Sequence, residues 1–205
     1  LNVLTTAQMQ GFTSSQIVAM TTAQIRSLTS DQLASISTGV ISTLKGSQIA
    51  ALSSDQFKTL TTAQINNLSS SQIANIATSV IASLTSSQIV ALSTTNIVGF
   101  TTAQLSKLTS DQIQSLETAD FARLTSVQLR TLTSDQIGSL TLDVVKSIST
   151  TQLKSLTSQQ VSKLTSDQMG ALTSSQITSL DQKQISFLST NQIASLSSGA
   201  LSNLT

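Results

Sequence analysis

The chain has no cysteine and no histidine, and proline, tryptophan and tyrosine are missing as well. Without cysteine there is neither a disulfide nor a thiolate metal site, and no thiol nucleophile. Without histidine there is no side chain of ordinary pKa near neutrality to act as a general base. A serine triad, which depends on such a base, is therefore excluded. Charge is scarce: 9% of the residues are charged and the formal net charge is +1. That balance gives no bulk electrostatic footprint for nucleic acid. No apolar run approaches the length needed to span a membrane, and no signal peptide is visible. The seven glycines form neither G-x-G-x-x-G nor G-x-x-x-x-G-K, so no phosphate-cradling loop is present.

What is there is one pattern, T-x-x-Q-I-x-x-L, repeated from Thr5 to Leu204 as twenty-five consecutive octads without insertion or deletion. Thr29–Ile36 (T-S-D-Q-L-A-S-I) is a representative copy. With positions lettered a to h, a is Ser or Thr in most copies and d is usually Gln. Positions e and h are large and apolar throughout. A short fixed period implies an architecture in which no unit folds alone, because one octad buries too little apolar surface to offset the ordering of its backbone.

Ser/Thr followed three residues later by Gln is the capping box of a helix start, and the apolar pair h–e around it is the hydrophobic staple. Leu108, Thr109, Gln112 and Ile113 are one complete set. The pattern predicts one short helix per octad, about six residues from b to g. Charge placement agrees. Every acidic residue lies at a to d, among them Asp31, Asp55, Asp111, Glu117, Asp120, Asp135, Asp143, Asp167 and Asp181. Most basic residues lie at f or g, with Lys45 and Lys183 the exceptions. Acids early and bases late suit the dipole of a helix that restarts every octad.

A continuous helix does not fit, since at roughly 100° per residue the apolar stripe drifts about 80° per octad. A β-solenoid strand needs apolar positions two apart on one face, whereas here the spacings alternate three and five. Two short strands per octad stay open as the rival. The h and a residues alone separate successive helices, fewer than a helical hairpin loop needs. The expectation is an all-α solenoid or superhelix of very short helices. Positions e and h face inward, and b, c, f and g face outward or fill between coils. The unbroken register predicts a single repeat domain over 1–205, with a lead-in at 1–4.

Deviations cluster. Val40, Val80, Asp120 and Ala200 replace Gln at d in the fifth, tenth, fifteenth and twenty-fifth octads, while Gln160 is kept and Asn96 and Val144 fall outside that series. The forty-residue spacing reads either as duplication of a five-octad block or as a coil of five helices with Val40 and Val80 at buried, weakly capped corners. Gly11, Gly99, Gly138 and Gly170 sit late in their octads, where helix ends tolerate glycine. Phe12, Phe57, Phe100 and Phe121 stand in for Leu or Ile at e or h. Phe187, at g, marks a candidate exposed contact.

No catalytic, cofactor-binding or metal-binding residue is assigned. The acids are dispersed, and Asp31, Asp55 and Asp167 lack the clustered oxygens that calcium requires. Lys154 and Lys163 form a mildly basic patch read as a solvated face. Thr101–Leu116 (T-T-A-Q-L-S-K-L-T-S-D-Q-I-Q-S-L) and Thr133–Leu140 resemble the octapeptide tandem arrays of large bacterial secreted or cell-surface proteins of adhesin-like type. The resemblance covers essentially the whole chain. It implies an extracellular location and a role as spacer or fibre, and it brings no active site.

The functional expectation is a non-catalytic structural module of an extracellular fibre, filament or surface protein. The alternative is a binding solenoid that recognises a glycan, a surface or ice through rows of Thr, Ser and Gln. Expected partners are adjacent repeats of the same polypeptide or other copies, end to end or lateral, with no nucleic acid and no membrane insertion. Both terminal octads are as apolar at e and h as interior ones. The chain is thus expected either to be a window on a longer array or to stack end to end.

Overall fold

A computed structural model describes residues 3–202. Among the described residues there are twenty-five α-helices and no strand. They are numbered α1 to α25 in chain order, one per octad, so helix number and octad number coincide. Each spans four to six residues, starting at b and ending at e, f or g. The chain groups into two compact units, Leu1–Lys107 and Leu108–Thr205. The two-strand rival is thereby excluded for these residues.

The helices begin where the capping box places them. At α14 (Ser110–Gln114), Thr109 Oγ1 accepts from the Gln112 amide at 3.2 Å, and Gln112 Oε1 accepts from the Thr109 amide at 2.8 Å. The same reciprocal pair recurs through both units. Where d lacks an amide the box is incomplete. Ser37 and Ala77, ahead of Val40 and Val80, make no side-chain cap bond. Thr141 keeps its half, accepting from the Val144 amide. At Lys45, whose ammonium has no acceptor, only the return bond from Lys45 N–H to Gln48 Oε1 at 2.9 Å forms.

The helices end without a left-handed residue: no described residue, glycine included, has positive φ. Instead the chain runs extended through the junction, as at Leu132 (φ −61, ψ 139) and Thr133 (φ −68, ψ 159). Two extended residues turn the chain into the next cap, so almost no loop is needed. Gly99, Gly138 and Gly170 therefore answer to packing and not to helix-end geometry. A Cβ at Gly99 would overlap the backbone of Ser70, and one at Gly138 would sit 3.0 Å from the Lys163 carbonyl oxygen.

Within each unit every helix packs on its third neighbour. In unit 1, α1 (Thr6–Gln10), α4 (Ser30–Ser35), α7 (Ser54–Thr59), α10 (Thr78–Ile81) and α13 (Thr102–Leu105) form one such stack. In unit 2, α14, α17 (Ser134–Gly138), α20 (Ser158–Val161) and α23 (Gln182–Ser186) form another. Two further stacks run beside each of these. The coil of five helices is thus overturned: stacking on the third neighbour is incompatible with five helices per turn, and the forty-residue series does not correspond to one turn. Val40 and Val80 are not equivalent corners either, since Val80 is buried and Val40 is only half-buried.

The core is made of the e and h side chains. From Leu28 to Leu180 every e and h residue is buried, with Phe57 and Phe121 among the largest. Phe100 is buried too, while Phe12 is half-buried. No described helix is long and apolar enough to cross a membrane.

Candidate functional site: the glutamine ladder

The d side chain does more than cap. In unit 1, Gln48 Nε2 donates to the carbonyls of Ile17 at 2.8 Å and Met20 at 2.9 Å. Gln104 Nε2 donates to Ile73 at 2.8 Å and Ile76 at 2.7 Å. In unit 2, Gln160 Nε2 reaches Leu129 at 2.9 Å and Leu132 at 2.8 Å, and Gln176 reaches Val145 at 3.0 Å and Ile148 at 2.7 Å. The acceptors are the e and h carbonyls four octads earlier; the e carbonyl already accepts from the h amide of its own octad, whereas the h carbonyl has no donor in the described backbone. One amide therefore closes two structures. Its oxygen caps its own helix, and its one nitrogen, Nε2, fastens that helix to the end of a helix in the preceding coil. With packing on the third neighbour and fastening on the fourth, a turn takes between three and four octads.

These glutamines are buried: Gln48, Gln64, Gln104 and Gln184 are each 1% exposed. A buried amide is tolerated only when its groups are paired, and here they are. Capping alone accounts for the d residue without this second role. The signal was nonetheless present. Glu serves a capping box as well as Gln does, yet no d position holds Glu. A carboxylate accepts but cannot donate, so the near-exclusion of carboxylates from d, where Asp120 is the one exception, marks a need for a donor.

Where d has no amide the ladder is interrupted. Val80 stands where a donor would meet Leu52, and Val144 where one would meet Leu116; no described side chain donates to either carbonyl. Asn96 is a shorter substitute that works, capping through Oδ1 to the Ser93 amide at 2.8 Å and donating through Nδ2 to the Leu68 carbonyl.

Asp120 does not work in the same way. It is 2% exposed, and its Oδ2 has no hydrogen-bond partner among the described residues. Burial, assisted by the nearby charge of Glu117, pushes its pKa from 3.8 up to about 6. The remaining acids behave as read from the sequence. Asp31, Asp55, Asp111, Asp135 and Asp167 are exposed first-turn residues, and Asp181 is the N-cap of α23. No three acidic side chains gather into a group able to hold a metal among the described residues. Lys154 and Lys163 are exposed, and Phe187 is 49% exposed at the end of α23.

Interlocked coils of capped octads define an all-α repeat solenoid. The ALTTAQ repeat model matches residues 1–30, 81–118, 113–147 and 143–174 in tandem, more than half of the chain. The chain belongs to the ALTTAQ repeat family. No curated protein matches it.

Proposed function

We propose that the chain is a non-catalytic structural module of an extracellular bacterial fibre, filament or surface protein. The observation that carries this reading is the ladder. The backbone, the core positions and the d amide of an octad are all committed to joining one coil to the next, so adding octads lengthens the structure without changing its design. Tandem membership of a repeat family supports the same reading. In this role the partners are neighbouring repeats, of the same polypeptide or of other copies.

Immunogold electron microscopy of intact cells, with antibody raised to this chain, tests the proposal. Labelled filaments or a labelled envelope are expected. Label confined to the cell interior, with none on intact cells, would overturn it.

A further inference from the structure

Three cations that are far apart in sequence share one furrow on unit 2. Arg130 lies in the last turn of α16 (Ser126–Thr131), Lys154 belongs to α19 (Thr150–Ser155), and Lys183 belongs to α23. They lie 24 and 29 residues apart, close to one turn each, so successive coils contribute one cation apiece. All three line a depression of about 290 Å³ together with Ser158 and Asp181. Lys154 and Asp181 also line a neighbouring depression of about 370 Å³. Ser158 and Lys183 line another, of about 240 Å³, together with Phe187. The shared residues set the three depressions side by side.

Its charge is available. Arg130, Lys154 and Lys183 are exposed, and no ion pair engages them among the described residues. The one carboxylate present, Asp181, caps α23, its Oδ1 accepting from the Gln184 amide at 2.7 Å, so the lining sets three cations against one anion. The half-exposed ring of Phe187 adds an apolar face at the far end. A periodic coil with scattered surface lysines gives no reason for an aromatic residue at g, a position elsewhere small or polar.

The geometry points to a linear acidic polysaccharide as the occupant. Its carboxylates complement the three cations. Phe187 is the one aromatic residue among the linings, whereas single-stranded nucleic acid is held on rows of aromatic side chains that stack successive bases. Hydroxyl-lined walls and a ring face complement the hydroxyls and the C–H face of a pyranose. The inference does not depend on the module forming a fibre.

The test is calorimetric titration of the intact chain at low ionic strength with hyaluronan oligosaccharide, using dextran and single-stranded DNA as comparators. Binding to hyaluronan alone is expected, weakening as salt screens the charges. Arg130→Gln with Lys154→Gln and Lys183→Gln should reduce affinity by about tenfold or more. The same charge change placed on unit 1, Lys45→Gln with Lys58→Gln and Lys107→Gln, should leave it within about twofold. Phe187→Ala should weaken hyaluronan binding and leave the circular dichroism unchanged. The proposal is overturned by no binding, by equal loss from the two triple variants, or by DNA binding as tightly as hyaluronan.

Discussion

The opening coil of unit 1 and the closing coil of unit 2 are built from the same octad, yet they expose opposite parts of it. In the opening coil Gln8, Gln16 and Gln24 are exposed, while Met9, Ile17 and Ile25 at e are fully buried. In the closing coil Gln184 and Gln192 are buried, while Ile193 and Leu201 at e are 39% and 40% exposed. Residues one place apart thus work in opposite directions. The d amide acts on the coil before it, and the e side chain is covered by the coil after it. The octad is polar along the stack, and its two conserved-looking duties, cap and core, are only half of what it does.

That polarity can be broken at either position. The largest effect is expected at an interior e residue. Ile113→Asp places an unpaired charge among apolar neighbours, and a loss of more than about 4 kcal/mol in chemical denaturation is expected; an unchanged melting temperature would remove e from the core.

Next comes Gln160→Glu, which keeps the cap acceptor but removes the donor to Leu129 and Leu132. It should cost about 1–3 kcal/mol. Exposed Gln16 makes no backward bond among the described residues, and the same exchange there should stay within about 0.5 kcal/mol. Equal effects at the two sites, measured by urea denaturation, would show that the backward bonds contribute nothing.

Asp120→Asn sharpens the comparison from the other side, by supplying the donor that Asn96 already supplies. Because the folded-state pKa of Asp120 is raised, the folded state holds this proton more tightly than the unfolded chain does. This contribution to stability is therefore greatest below about pH 4, falls as pH rises towards 6 and is flat above. The variant should be more stable at pH 7 and should lose that slope, which thermal melts across pH 4 to 7 would show.

Removing one cap hydroxyl, Thr109→Ala, is expected to cost about 1 kcal/mol. Faster hydrogen exchange should be confined to α14 and the helices next to it.

Helix starts were legible because a capping box is chemistry between residues three apart. Ser or Thr at a, Gln at d and the flanking h–e pair carry that information locally. The all-α solenoid followed from the length of the junction. The size of a turn was not legible, since it depends on the bend summed over several extended junctions such as Leu132–Thr133, and no single residue encodes that sum. One of the two readings of the forty-residue recurrence of Val40 and Val80, a coil of five helices, was wrong for the same reason. The second duty of Gln was half legible, in the absence of Glu from d, but its acceptors lie 28 and 31 residues away and only the folded coil identifies them. The furrow was illegible as a set. Arg130, Lys154 and Lys183 each look like an ordinary late-octad or surface cation until the turn length brings them onto one side.

A backward-reaching amide also gives the chain a direction of assembly. A polypeptide leaves the ribosome with its N-terminus first. Each new octad then meets carbonyls that are already in place, and it can be fastened as soon as it emerges. Its own e residue waits only for the next turn, about thirty residues later, to be covered. The contacts to be found are all near in sequence, which favours rapid folding. Growth from the other end would have no such convenience, because every amide would emerge before its acceptors existed.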